Sequence, residues 1–120
     1  MTLSRLMGVH PDLVRVIEKA KEIAQPFIVT EGRRTPERQA ELVAQGKSQT
    51  IHSRHLTGHA VDLAVVDGGR ITWEFPAYER LARDVKAAAA LLKVPITWGG
   101  DWKSLRDGPH FELPREAYPA

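Results

Sequence analysis

The stretch AVDLAVVDGGRITW, residues 60–73, indicates what kind of fold the chain adopts. Residues 60–66 form an apolar run typical of a strand, DGG at 67–69 is typical of a turn, and RITW at 70–73 can pair back as a hairpin. A hairpin of this kind is local and antiparallel. It also carries an aspartate, Asp62, within a strand that otherwise reads as buried, and this position requires an explanation.

Helical patterns lie on both sides of this hairpin. Apolar residues recur at helical spacing over about residues 11–25, and Pro26 closes that segment. TPERQAELVAQG at 35–46 predicts a second helix, with Thr35 as its N-cap, and residues 76–92 predict a third.

Further short strands are predicted between and after these helices. They are PFIVTEG at 26–32, PITW at 95–98 and GPHFEL at 108–113, while residues 47–59 have the composition of a loop. The resulting order is α β α β β α β β with short connections. It predicts an α+β fold in which helices pack on one small antiparallel sheet, organised as a single domain over residues 1–120.

Composition limits the chemistry. The 120 residues include no cysteine, so any metal must be held by histidines and carboxylates. The net charge is +2, and basic and acidic residues alternate without a basic stripe, so we expect mild attraction to anionic polymers and no nucleic-acid site. The N-terminus lacks the apolar segment of a signal peptide, and the run AAAALL at 87–92 is too short to span a bilayer. We expect a monomer made in the cytoplasm.

Asp62 is the first candidate functional residue. Side chains alternate along a strand, so Val61 and Leu63 share one face with Val65, whereas Asp62 points the other way between Ala60 and Ala64. A carboxylate in such a place needs a cation, a set of hydrogen-bond donors or a metal. Pairing with an arginine is the simpler alternative; the flanking alanines leave space for something larger.

Two histidines can join Asp62. His55 lies in the preceding loop, where Gly58 permits a tight bend back over the strand, and His110 is in the last strand. On that strand His110 shares a face with Glu112, while Phe111 faces the core together with Leu113. A single histidine is usually structural, but two histidines with one carboxylate form the donor set of a catalytic zinc site with an open position.

The same residues carry a resemblance to a known family. SRHLTGHAVDL at 53–63 matches the S-x-H-x-x-G-x-A-x-D pattern, and DGPHFE at 107–112 the D/E-x-x-H pattern, of the M15 zinc peptidases. That family includes D-alanyl-D-alanine carboxypeptidases and dipeptidases, as well as phage L-alanyl-D-glutamate endopeptidases. The resemblance extends from Thr30 to Leu113, since TEGRRTPERQAEL and ITWGGDW also look like family segments.

The resemblance implies a role for individual residues. His55, Asp62 and His110 correspond to the Zn²⁺ ligands, and Asp107 corresponds to the general base, with a turn-forming Asp-Gly as its structural alternative. Arg34 matches the arginine that stabilises charge on the carbonyl oxygen or holds a substrate carboxylate, whereas Arg33 is expected to be a solvated neighbour.

The resemblance also implies a substrate cleft. Ser53 and Trp98 stand at motif positions that could line it, and Trp102 could form a wall, although tryptophans in a small domain usually pack in the core. Asp101 and Glu112 are alternative hydrogen-bond acceptors for a zinc-binding histidine. His52 and His59 are expected to be exposed and to take no part in metal binding.

The expected function is therefore a zinc-dependent peptidase that cuts a stem-peptide bond of bacterial peptidoglycan. The phage or prophage endolysin type, which cleaves L-alanyl-D-glutamate and acts on the cell wall after release, is the leading hypothesis. A D-alanyl-D-alanine carboxypeptidase is the alternative within the enzymes, and a non-catalytic wall-binding module is the alternative outside them. A small nucleic-acid-binding protein lacks the basic patch that such binding requires.

Overall fold

A computed structural model describes residues 5–47, 53–103 and 106–119 of the chain. Within these residues, the helices and strands named below occur in the predicted order, which confirms the predicted α+β class. The elements are α1 (Pro11–Ile23), β1 (Phe27–Glu31), α2 (Pro36–Ala44), β2 (Ala60–Asp67), β3 (Arg70–Thr72), α3 (Phe75–Leu92), β4 (Thr97–Trp98) and β5 (His110–Glu112), with 3₁₀ helices at Arg54–Thr57 and Gly99–Asp101.

Strand β2 is the centre of an antiparallel sheet. It pairs with β1 along one edge and with β5 and β3 along the other, and β4 pairs with β5. The predicted hairpin is confirmed: Asp67 pairs with Arg70, and Gly68 and Gly69 between them have φ angles of 58° and 79°. Two consecutive positive φ angles are typical of the type I′ turn that joins twisted strands.

The core lies on one face of this sheet. Helices α1 and α3 pack against each other, and their buried residues cluster with Val61, Leu63 and Phe111 of the strands. Asp62 is on the opposite face, as predicted from alternation. Ala60 and Ala64 on that face are fully buried, whereas the Asp62 side chain between them is 22% exposed.

Element boundaries follow local chemistry. Helix α1 ends at Ile23, two residues before the predicted end, because Ala24 is already extended, and Pro26 disfavours helical geometry at Gln25. The Thr35 hydroxyl caps α2 by accepting from the Arg38 N–H at 3.1 Å. The last strand is shorter than predicted because residues 108 and 109 form a turn. No helix in the described part of the chain combines the length and the apolar composition that crossing a bilayer requires.

The predicted loop at 47–59 contains an element that we did not expect. Residues 48–52 lie outside the described part, but Arg54–Thr57 forms a 3₁₀ helix. The Ser53 hydroxyl caps it by accepting from the His55 N–H at 3.2 Å, and Gly58 ends it in the left-handed conformation. This short helix holds His55 in place above the sheet.

Candidate metal centre and active site

Three side chains converge on the face of the sheet opposite the core. His55 comes from the 3₁₀ helix, Asp62 from β2, and His110 from β5, directly opposite Asp62 in the strand register. One ligand atom from each of the three residues lies within 4.8 Å of the others, so the group could hold a metal ion. The three residues predicted to be ligands are therefore brought together.

The hydrogen bonds of His55 fix which of its nitrogens faces the group. Its Nδ1 lies 2.8 Å from the carbonyl oxygen of Gly32, which can only accept, so Nδ1 carries the proton. The lone pair of Nε2 then points into the group, where Nε2 is 3.3 Å from Oδ1 of Asp62. Among the described residues this buried Nε2 has no hydrogen-bond partner.

His110 is oriented in a matching way. Its Nε2 lies 2.7 Å from Oε1 of Glu112, and its Nδ1 is 3.3 Å from the same Oδ1 of Asp62. When Glu112 accepts from Nε2, the Nδ1 lone pair faces the carboxylate. Two nitrogen lone pairs and one carboxylate oxygen thus face one another, an arrangement that repels unless a cation or a proton stands between them. The donor set fits a zinc ion.

The electrostatics of the group show the same demand for positive charge. Burial by itself raises the pKa of Asp62, but the adjacent imidazoles of His110 and His55 outweigh burial and hold it well below its usual range. Burial lowers the pKa of His110, but Asp62 and Glu112 together raise it to about 9. In the metal-free protein, a proton on His110 therefore supplies the charge that a metal would supply.

Arg34 is tied into this group through its guanidinium. Its Nε donates to Oε1 of Glu31 at 2.8 Å, its Nη1 donates to Oε1 of Gln39 at 2.7 Å, and its Nη2 lies 3.5 Å from Oδ2 of Asp62. Asp62 therefore contacts an arginine as well as the two histidines, so the simpler alternative of an arginine partner is also observed. A guanidinium has five N–H donors, so two of them take no part in these three contacts.

Asp107 lies on the other side of the group, in the turn before β5. Its backbone N–H donates to Gly99 at 3.0 Å, and its carbonyl accepts from the His110 N–H at 3.2 Å. Burial raises the pKa of its carboxyl, and the nearby charge of Asp62 raises it further. The charges of His110, His55 and Arg34 also act on this carboxyl, which indicates that it stands beside the group.

The three residues predicted to line a cleft have different environments. Ser53 is half-buried and holds the His55 backbone, as described above. Trp98 is only 6% exposed, stacks on Phe75 and Phe111, and donates its indole N–H to the Gly108 carbonyl at 2.7 Å, so it lies in the core. Trp102 is 36% exposed, with its ring centroid 5.0 Å from that of His110. Of the two tryptophans, Trp102 is the one placed to form a wall.

The N-terminal segment packs closely against the loops that carry the site. A Cβ on Gly32 would stand 1.9 Å from the Arg5 carbonyl oxygen, and a Cβ on Gly58 would stand 2.1 Å from that of Gly8. The His10 N–H also donates to the Gly58 carbonyl at 2.7 Å. Because Gly32 accepts from His55, this packing fixes the histidine as well as the loops.

The remaining polar candidates are now placed. Glu112 bonds His110, whereas Asp101 pairs with Lys86 at 2.6 Å on the surface. His59 is half-buried and forms a hydrogen bond with Thr57, so it is less exposed than expected. As expected, it does not belong to the metal-binding group. His52 lies outside the described residues.

Sequence reasoning missed two residues that hold Arg34, namely Glu31 and Gln39. Gln39 is 1% exposed and lies three positions before the buried Leu42 of α2. A polar residue on the apolar face of a helix was the available signal. For Glu31, the spacing of three residues to Arg34 was a weaker signal.

The fold and the site together define a class of protein. A small α+β domain with two histidines and one carboxylate facing a common point, and with a further carboxylate beside them, has the layout of a metallopeptidase. A family model described as phage L-alanyl-D-glutamate peptidase matches residues 1–114. The chain belongs to this family, which confirms the predicted resemblance.

Individual relatives agree with this family. The chain is 36% identical over 91 residues to the L-alanyl-D-glutamate peptidase of Listeria phage A118, and 30% identical over 119 residues to that of Escherichia phage T5. The matches cover 76% and 95% of this chain. The chain spans 31% of the length of the first relative and 86% of the second.

Solved structures give the same result. The L-Ala D-Glu endopeptidase ChiX of Serratia marcescens is 49% identical, with a TM-score of 0.94 over 99% of this chain and 90% of that one. The D,D-dipeptidase VanXYg is 18% identical, with a TM-score of 0.57 over 88% of this chain and 50% of that one. The second likeness shows the fold alone, and together the two structures confirm the predicted fold.

Proposed function

We propose that the chain is a zinc-dependent endopeptidase that hydrolyses the L-alanyl-D-glutamate bond in the stem peptide of bacterial peptidoglycan. Its family and the names of its relatives support the bond. The observation that carries the proposal is the group of two inward-facing imidazole lone pairs and one carboxylate, which includes a buried His55 Nε2 without a hydrogen-bond partner among the described residues.

In this proposal His55 holds the zinc ion through Nε2, His110 through Nδ1, and Asp62 through its carboxylate. Glu112 and the Gly32 carbonyl hold the two imidazoles in the required tautomers. When bound, the zinc ion supplies Lewis acidity toward the scissile carbonyl and the attacking water. In the metal-free protein a proton on His110 offsets the carboxylate charge, and a divalent cation would replace that proton.

The chain's own residues then move the proton and hold the substrate. Asp107 accepts the proton of the attacking water on its carboxylate and passes it to the leaving amine, a role for which its raised pKa suits it. Arg34 keeps Asp62 in place and directs its free N–H groups at the developing charge on the carbonyl oxygen. Trp102 forms one wall of the cleft beside His110.

The setting of the reaction follows from the substrate. The chain acts as one catalytic domain, in monomeric form, as an endolysin of a phage or prophage that reaches the cell wall after release from the cytoplasm. Wall affinity comes from the cleft and the basic surface. A D-alanyl-D-alanine carboxypeptidase would use the same zinc chemistry on a different bond, and a wall-binding module would keep the metal without the reaction.

Mass spectrometry of purified peptidoglycan digested with the zinc-loaded protein tests the proposal, with Asp107→Ala as the control. New L-alanine C-termini and D-glutamate N-termini that are absent from the control establish the endopeptidase. Released D-alanine would instead assign the chain to the carboxypeptidases. Intact muropeptides together with bound zinc would leave only a binding module.

A further inference from the structure

A cavity lies beside Arg34, at the segment that follows β1. Its volume is 390 Å³, and it is lined by Met7, Arg33, Arg34, Thr35, Pro36 and Leu56. A cavity of this size accommodates one amino-acid residue or a small ligand. It was not expected from the sequence, which predicted that Arg33 is only a solvated neighbour.

This cavity shares one residue with the proposed reaction centre. Arg34 belongs to both, since its Nη2 lies 3.5 Å from Oδ2 of Asp62. Leu56 follows His55 in the chain, and the Arg34 N–H donates to the His55 carbonyl at 2.8 Å. A substrate whose scissile carbonyl lies at the metal group and whose next residue contacts Arg34 would therefore reach the cavity.

Among the described residues that line the cavity, two are arginines and none is acidic; Glu31 and Asp62 pair with Arg34, so the positive charge left for a ligand is that of Arg33. The Arg34 guanidinium is already held by Glu31 and Gln39, so it is rigid and 91% buried, whereas Arg33 is exposed. The stem of Arg33 packs on Gly8, and among the described residues no ion pair involves its guanidinium. Met7, Pro36 and Leu56 supply apolar walls between these charges.

The charges of the substrate identify which part of it fits. On the L-alanyl side of the cleaved bond, the peptide continues through an amide to a neutral lactyl group and offers no charge. A D-glutamyl residue on the leaving side has two carboxyl groups, of which one continues the peptide and the other is a free carboxylate or a carboxamide. A cationic cavity within one residue of the scissile bond can therefore pair only with that carboxylate.

We propose that this cavity is the subsite for the free carboxylate of the D-glutamyl residue, with Arg33 as the residue that reads its charge. The proposal rests on the proposed function and adds a specificity that it does not contain. Peptidoglycan whose D-glutamyl carboxyl is amidated is then a poor substrate. The methylene groups of the same residue lie against the apolar walls.

Two synthetic stem peptides that differ only in this group, one with the carboxylate and one with the carboxamide, provide the test. We expect the zinc-loaded protein to prefer the carboxylate by roughly tenfold or more in kcat/KM, the range of a charge-assisted hydrogen bond. In Arg33→Gln, which keeps the packing stem, KM for the carboxylate peptide rises, kcat changes little and the preference approaches one. Arg33→Lys restores part of it.

Arg38→Gln is the matched control, because it removes one positive charge from the neighbouring helix α2 at an exposed position outside the cavity. This variant keeps the preference of the unmodified protein. If Arg33→Gln keeps that preference too, or if the unmodified protein cuts both peptides equally well, the subsite assignment is wrong while the endopeptidase stands. If neither peptide is cut, the proposed function fails and the subsite assignment fails with it.

Discussion

Removing the Glu112 carboxylate should weaken zinc binding without unfolding the protein. Glu112 lies 2.7 Å from Nε2 of His110, and the two side chains are 16% and 9% exposed, so their hydrogen bond is both short and shielded from water. The bond determines which nitrogen of His110 carries the proton. Without it, the imidazole is free to protonate Nδ1, and a protonated Nδ1 cannot bind a metal.

The size of the effect follows from the strength of this bond. A hydrogen bond to a charged group contributes about 1.5–3 kcal/mol, and each 1.4 kcal/mol is a factor of about ten in affinity. Glu112→Leu, which removes both the charge and the acceptor, should therefore weaken zinc binding by about 10- to 100-fold, as losses of such outer partners generally do. Glu112→Gln keeps an acceptor oxygen, so we expect its loss to fall near the lower end of that range.

Competition with a chromophoric chelator measures the zinc affinity directly and does not depend on activity. Glu116→Gln is the control, since it removes a negative charge from an exposed position four residues further along the chain. Thermal unfolding of the metal-free variants shows whether they are folded. Zinc affinity in Glu112→Leu equal to that of the control would show that His110 is oriented by something else, and the tautomer argument would be refuted.

Three further predictions concern the loops, the base and pH. Gly58→Ala should lower Tm and zinc affinity far more than the control Gly46→Ala. Both glycines have φ above 70°, but only at position 58 does the new Cβ meet the Gly8 carbonyl oxygen. Equal losses in the two variants would contradict this reasoning. Asp107→Asn should lower kcat/KM by roughly 10²- to 10⁴-fold. The same variant should raise Tm of the metal-free protein at pH 7, because burial and the charge of Asp62 make the ionised carboxyl of Asp107 costly. A lower Tm would contradict this effect on stability. Folding raises the pKa of His110 from 6.5 to about 9. Protonated His110 therefore stabilises the metal-free protein fully below pH 6.5, and this contribution is lost as the pH rises through about 9. A Tm that stays constant across this interval would disprove the prediction.

The sequence predicted the centre of the fold because its signals are local. The alternation in residues 60–66 placed Asp62 opposite the core, and the turn residues that follow predicted the hairpin, although not the pairing of Asp67 with Arg70. The convergence of His55 and His110 on Asp62 needed more than alternation, because they come from distant segments. There the family motif supplied what spacing left open, and the strand register now shows His110 opposite Asp62.

What the sequence could not predict depends on close approaches between segments far apart in the chain. Gly32 looks like an ordinary loop glycine, yet it must lack a side chain because the Arg5 carbonyl lies against it, and its own carbonyl orients His55. The same holds for the cavity at Arg33, whose walls come from the N-terminal segment, the turn after β1 and the 3₁₀ helix. A sequence pattern along one strand or helix does not predict contacts between such distant segments. The residues that set the tautomer of His55 and surround the proposed carboxylate subsite therefore emerge only once the chain is folded.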